Sequence, residues 1–208
     1  MRVLVFGDSI TQGFYDSHGG WVERLRSAYN MLEAKEPAGD GPILFNLGIS
    51  GDMTANVVKR FAVETENRRT PKQDFAFVFA IGINDSYLDG QKEVSTPEMY
   101  AEALDTLFAA AGHYSDKILF VGLTACDETR TTPVAWRDIS YTNQRIWQFE
   151  EVLRKFCKAN QLPHVKVFEK FQATQKEQNL LTDGLHPNDA GHQLIAELVS
   201  AQLKNLLN

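Results

Sequence analysis

The feature that most constrains this chain is an alternation. Five short, almost unbroken apolar runs, at residues 3–6, 43–47, 75–81, 118–123 and 165–168, are separated by longer stretches of helical period. The runs are rich in β-branched and aromatic residues and show no polar alternation, the signature of strands covered on both faces. Residues 75–81 (Phe-Ala-Phe-Val-Phe-Ala-Ile) form the strongest run and read as the central strand.

Helices fill the intervals. Trp21, Leu25, Ala28 and Leu32 share one helical face, and Val57 and Phe61 share another less cleanly. A third helix opens with Thr96 as N-cap, Pro97 at its first position and Glu98 in its first turn. Ile146, Phe149, Leu153 and Phe156 recur at spacings of three and four, and a last helix runs from Asn188 through Leu194, Ile195, Leu198 and Val199 to Leu206. Strands alternating with helices imply right-handed crossovers, hence an α/β fold with a parallel sheet between two helical layers. Ligands of such sheets bind beyond the carboxyl ends of the strands, so the informative residues are those that follow each strand.

Composition narrows the class further. With 208 residues and 43% hydrophobic content, the chain reads as a single domain, 1–208, able to bury its own core. Twenty-one Lys and Arg against 27 Asp and Glu give a net charge of −6, which argues against a nucleic-acid partner. Nothing approaches the roughly 18 consecutive apolar residues of a membrane span. The first apolar run is too short for a signal-peptide core and lacks a cleavage site, so a cytoplasmic location is expected. Two cysteines, Cys126 and Cys157, make neither a disulfide scaffold nor a metal-ligand spacing.

The strand ends carry chemistry. Gly7-Asp8-Ser9-Ile10-Thr11 follows the first run, Gly48-Ile49-Ser50-Gly51 the second and Gly82-Ile83-Asn84-Asp85 the third. Asp183-Gly184-Leu185-His186-Pro187 precedes the last helix. A serine, two glycine-bearing turns, an amide and an Asp/His pair are what acyl transfer requires. The hydroxyl needs a base, the imidazole needs a carboxylate to fix its tautomer, and the tetrahedral intermediate needs hydrogen-bond donors. Residues 183 and 186 straddle Gly184 in what reads as a tight turn, which lets carboxylate and imidazole meet. The Gly-x-Ser-x-Gly elbow of the larger α/β-hydrolases is absent, because Thr11 stands at its last position.

These four blocks, in this order, resemble those of the SGNH hydrolases, also called GDSL esterases and lipases. The likeness spans residues 7–186, with Ile10 standing where the eponymous leucine would be. It implies a flavodoxin-like three-layer α/β/α sandwich with a five-stranded parallel sheet. It further implies Ser9 as nucleophile, His186 as base and Asp183 as its orienting partner. The oxyanion hole would comprise the Ser9 and Gly48 N–H groups and the Asn84 amide. The expected activity is cleavage of small to medium carboxylic esters, and of thioesters, through an acyl-enzyme, with no metal or organic cofactor. A carbohydrate O-deacetylase on the same fold and a non-catalytic ligand-binding domain are the alternatives.

Each residue also has a plainer reading. Ser9 could cap the helix after the first strand, Gly48 could serve a positive-φ turn, and Asn84 and Asp85 could be turn formers, the preferred reading for Asp85. His18, His113 and His164 read as solvated, Cys157 as core, and Cys126 as a rim thiol of little nucleophilic promise. His192 lies six residues past His186, a spacing that does not suit a zinc pair. Two segments could shape the substrate pocket. Residues 13–21 carry Phe14, Tyr15, Asp16 and Trp21 close after Ser9. The long connection 126–141 carries Arg130, Trp136, Arg137 and Tyr141, either lining the substrate site or packing as surface loop. In the first case Trp136 would meet an acyl or aryl group, and Arg130 or Arg137 an anionic one.

Overall fold

The computed structural model describes residues 1–35, 41–71 and 74–207. In chain order the elements are β1 (Arg2–Gly7), a single-turn helix α1 (Ser9–Gln12), α2 (Trp21–Lys35), β2 (Ile43–Gly48), α3 (Thr54–Glu66) and β3 (Phe75–Ala80). A 3₁₀ turn over Asn84–Ser86 leads to β4 (Leu88–Asp89) and β5 (Lys92–Glu93), then α4 (Pro97–Gly112) and β6 (Ile118–Val121). The chain finishes with α5 (Glu128–Thr131), β7 (Ile139–Ser140), α6 (Asn143–Ala159), β8 (His164–Val165), α7 (Phe168–Gln175) and α8 (Asp189–Leu207).

The main sheet is five-stranded and parallel, in the order β2-β1-β3-β6-β8, and helices cover both faces to give the three-layer α/β/α sandwich. The order reverses at β1, whose neighbours are β2 and β3, so a crevice opens beyond the carboxyl end of β1. Gly7 pairs in register with both Gly48 and Ala80, which brings the ends of these three strands to one level. The segments leaving them therefore start from a common rim.

Aromatic packing secures that rim from below. Phe75, Phe77 and Phe79 alternate along β3 and so share one face, and the Phe61 ring of α3 lies 5.0 Å from Phe77 and 5.2 Å from Phe6. Phe6, Phe61, Phe77 and Phe79 are fully buried, each worth about 1.5–3 kcal/mol in removal from water. Thr96 caps α4 as its sequence requires, its hydroxyl accepting the Met99 N–H.

Three expectations are corrected. The last strand ends at Val165, because its partner β6 stops at Val121 and leaves nothing to pair with; Phe168 opens α7 instead. The α2 face is buried at Trp21 and Leu25 but exposed at Leu32. His164 is not solvated: its ring packs into the sheet edge with Nε2 3.2 Å from the buried Glu150 carboxylate. A small antiparallel sheet, β5-β4-β7, folds connection 126–141 back onto the segment after Asn84. Among the described residues no helix is long and apolar enough to cross a membrane.

Candidate active site

The site is assembled at the crevice beside β1. The chain leaves Gly7 and turns at once into α1, where Asp8 is the N-cap, its carboxylate accepting the Ile10 N–H at 2.9 Å. The capping role considered for Ser9 thus falls to Asp8. Ser9 becomes the first residue of the helix, with a backbone N–H that has no intrahelical acceptor. Burial pushes the Asp8 carboxyl up to about 7, against the lowering effect of the Ile10 N–H and of His186.

Ser9 Oγ lies 2.9 Å from His186 Nε2, and His186 Nδ1 lies 2.7 Å from Asp183 Oδ2. The turn that holds the pair is closed by the Thr182 N–H donating to the His186 carbonyl, with Gly184 at φ +96°. Asp183 Oδ1 accepts the N–H groups of Leu185 and His186 at 2.9 and 2.8 Å. Burial alone would raise this carboxyl. The imidazole and the two amides outweigh it and hold Asp183 below the usual carboxylate range. An ionised Asp183 accepts only, so His186 Nδ1 carries the hydrogen and Nε2 faces the hydroxyl as acceptor. That is the arrangement in which the imidazole can take the Ser9 proton.

Beyond the end of β3, Asn84 is nearly buried at the start of the 3₁₀ turn. Its Nδ2 donates to the Asp52 carbonyl at 3.0 Å, and its Oδ1 accepts the Tyr141 hydroxyl at 2.8 Å. One Nδ2–H remains for a ligand. Gly48 has no positive φ; it is needed for close approach, since a Cβ there would stand 2.3 Å from the Gln12 nitrogen of α1. Its N–H donates to Asn46 Oδ1 at 3.0 Å, so any role toward an oxyanion requires sharing or releasing that bond. Asp85 is more than a turn former. Its buried carboxylate accepts both the N–H and the hydroxyl of Thr54, tying the 3₁₀ turn to α3, and burial pushes it up to about 6.

A family model described as "GDSL-like Lipase/Acylhydrolase family" matches residues 5–194. The chain belongs to that family. It is, by that membership, a serine-type ester hydrolase. Among solved structures, the hydrolase resembles the lipase/acylhydrolase from Enterococcus faecalis (24% identity, TM-score 0.79, 98% of this chain and 95% of that one). It also resembles an alpha/beta hydrolase enzyme from the metagenome of Lake Arreo, Spain (25%, TM-score 0.73, 99% and 95%). A third likeness is to an acetylxylan esterase from Geobacillus stearothermophilus (19%, TM-score 0.75, 97% and 93%). No curated protein sequence matches the chain closely enough to count as a relative.

The remaining expected residues of the hydrolase divide. Trp136 is 51% exposed, and its ring lies 5.8 Å from that of His186. Arg130 instead donates to the Thr182 carbonyl, bracing the turn before Asp183, and Arg137 pairs with Asp89 at 3.3 Å. Cys126 is buried, and burial pushes its thiol up to about 11, so it is a poor nucleophile.

The segment 13–21, expected from its place just after Ser9 to shape the substrate pocket, brings further side chains to the imidazole. Phe14 and Tyr15 lie 5.5 and 5.6 Å from His186, centroid to centroid, so with Trp136 three aromatic rings surround the imidazole. Tyr15 is 55% exposed and has φ +63°. Its loop is held by the bidentate Arg24–Asp16 pair and by buried His192, which donates from Nε2 to the Phe14 carbonyl and accepts the Trp21 N–H at Nδ1. With both ring nitrogens committed, His192 serves the loop. Asp8 was findable as a helix-capping aspartate; the His192 contact spans the chain and had no local signal.

Proposed function

We propose that this hydrolase is a serine esterase acting on carboxylic esters of small to medium size, and on thioesters of the same size, through an acyl-enzyme. The observation that carries the reading is the continuous hydrogen-bonded line from Ser9 Oγ through His186 to Asp183, at 2.9 and 2.7 Å. In this reading His186 Nε2 takes the proton as Ser9 Oγ attacks the ester carbonyl, and Asp183 stabilises the imidazolium that forms. The negative charge on the carbonyl oxygen is met by the free Asn84 Nδ2–H and the Ser9 N–H, with Gly48 N–H joining if Asn46 yields it. The imidazolium then protonates the leaving alcohol, and water repeats the sequence to release the acid. The test is hydrolysis of a short-chain p-nitrophenyl ester, with Ser9→Ala expected to abolish it. Activity intact in that variant would overturn the nucleophile assignment.

A second reading, a carbohydrate O-deacetylase, is favoured by one observation: the exposed faces of Tyr15 and Trp136 beside His186 suit the flat face of a sugar ring. The two are separated by comparing acetylated sugars with medium-chain acyl esters; selectivity for acetyl on sugar supports the second reading.

A further inference from the structure

Connection 126–141 does not simply wrap the surface. Its last residue, Tyr141, is buried, and its backbone is clamped on both sides: Tyr141 N–H donates to the Thr131 carbonyl at 2.9 Å, and Thr131 Oγ1 donates to the Tyr141 carbonyl at 2.8 Å. Its ring meets Tyr87 edge-on at 5.7 Å. Thus fixed, the phenol ends on Asn84 Oδ1 at 2.8 Å.

The polarity of this contact is determined by the other end of the amide. The Asp52 carbonyl can only accept, so the Asn84 atom 3.0 Å from it is Nδ2, the atom facing Tyr141 is Oδ1, and the phenol is the donor. A flipped amide would set Oδ1 against the Asp52 carbonyl and leave both oxygens without a hydrogen between them. Burial raises the phenol's pKa well above that of a free tyrosine, so the donor hydrogen stays in place across the working range of an esterase. The amide is therefore held from two sides in the one orientation that leaves a single N–H unspent.

We infer that Tyr141 is a positioning residue, acting through Asn84 to keep that N–H aimed at the oxyanion. This rests on the proposed acyl-transfer reading of the site. Oxyanion donors accelerate a reaction in proportion to how little they reorganise as charge develops. A phenol that holds the amide in advance supplies that order and touches no substrate itself.

The test is a double-mutant cycle between Tyr141→Phe and Asn84→Ala, read as kcat and KM on a p-nitrophenyl ester. Asn84→Ala should lower kcat by roughly two to three orders of magnitude. Tyr141→Phe should lower kcat by about tenfold or more with KM within about twofold, and should have almost no further effect once Asn84 is alanine. Equal losses in both backgrounds, or a loss under about threefold in the unmodified background, would overturn the positioning role. Full activity in Asn84→Ala would instead overturn the oxyanion reading on which it rests.

Thr131→Val loosens the same loop end while sparing the phenol. It should lower thermal stability without reproducing the kcat loss, and matching the Tyr141→Phe loss would assign the effect to the loop and sink the proposal. Should Tyr141→Phe fail to fold, a crystal structure of the unmodified chain phosphonylated on Ser9 decides. Asn84 Nδ2 on the phosphonyl oxygen with Oδ1 still on Tyr141 supports the inference; a phenol that has left Asn84 overturns it.

Discussion

Asp183 uses both carboxylate oxygens within a single turn: Oδ2 meets His186 Nδ1 at 2.7 Å while Oδ1 accepts the Leu185 and His186 N–H groups. The backbone thus fixes the carboxylate before the imidazole is considered. Asp183→Asn keeps an acceptor for the amides but replaces an obligate acceptor at His186 with an amide that can present N–H. The imidazole can then settle in the other tautomer, with its hydrogen on Nε2 facing Ser9. We expect kcat to fall by roughly three to four orders of magnitude with the fold intact. Circular dichroism and steady-state kinetics check this, and a loss under tenfold would show that tautomer control lies elsewhere.

Gly48 gives a steric prediction. A methyl group there would stand 2.3 Å from the Gln12 nitrogen and 2.8 Å from the Asp8 carbonyl oxygen, both backbone atoms of the turn that presents Ser9. Backbone cannot swing aside as a flexible side chain can, so α1 must shift. Gly48→Ala should cost about 1–3 kcal/mol of stability and at least roughly tenfold in kcat. An unchanged melting temperature together with unchanged kcat would contradict the close packing of α1 on β2.

The parallel sheet and the residues at its rim were legible because both follow from local pattern. Continuous apolar runs give covered strands, and the strand order then carries residues 9, 48 and 84 to one edge. The Asp183–His186 turn was legible because its spacing is local and Gly184 marks it. What escaped depends on contacts distant in sequence. β4, β5 and β7 are two residues each, too short to leave a period, and they form only by pairing across the fold. Arg130 and Arg137 looked free for a substrate because a sequence does not reveal that Thr182 and Asp89 stand beside them. Asp85 looked like a turn residue because its partner Thr54 is 31 residues away.

That buried Asp85 carries a pH signature. Burial raises it from 3.8 to about 6, so between these values the folded chain binds more protons than the unfolded one. Stability contributed by this group must therefore fall as pH rises from about 4 to about 7, the reverse of an ion-paired carboxylate. Asp183 runs the other way: its depressed value adds stability above the unfolded carboxylate range, lost only as pH falls below it. Asp85→Asn keeps an acceptor for Thr54 while removing the titration. The variant should gain on the order of 2–3 kcal/mol relative to the parent between pH 4 and 7.5. Urea unfolding at both pH values measures this, and an identical pH dependence in parent and variant would refute the burial argument.

Trp136 offers the sharpest separation of binding from chemistry. It lies against His186 yet is half exposed, outside the buried core that the phenylalanines build. Trp136→Ala should therefore leave stability within about 0.5 kcal/mol. If its face receives a ring, the loss should appear as a raised KM, by about three- to tenfold, for esters of cyclic alcohols such as p-nitrophenol or an acetylated sugar. Ethyl acetate has no ring to place there and should react with unchanged kcat/KM. An equal loss on ethyl acetate would mean that the indole orders His186 rather than the substrate, and the ring would then belong to the catalytic apparatus.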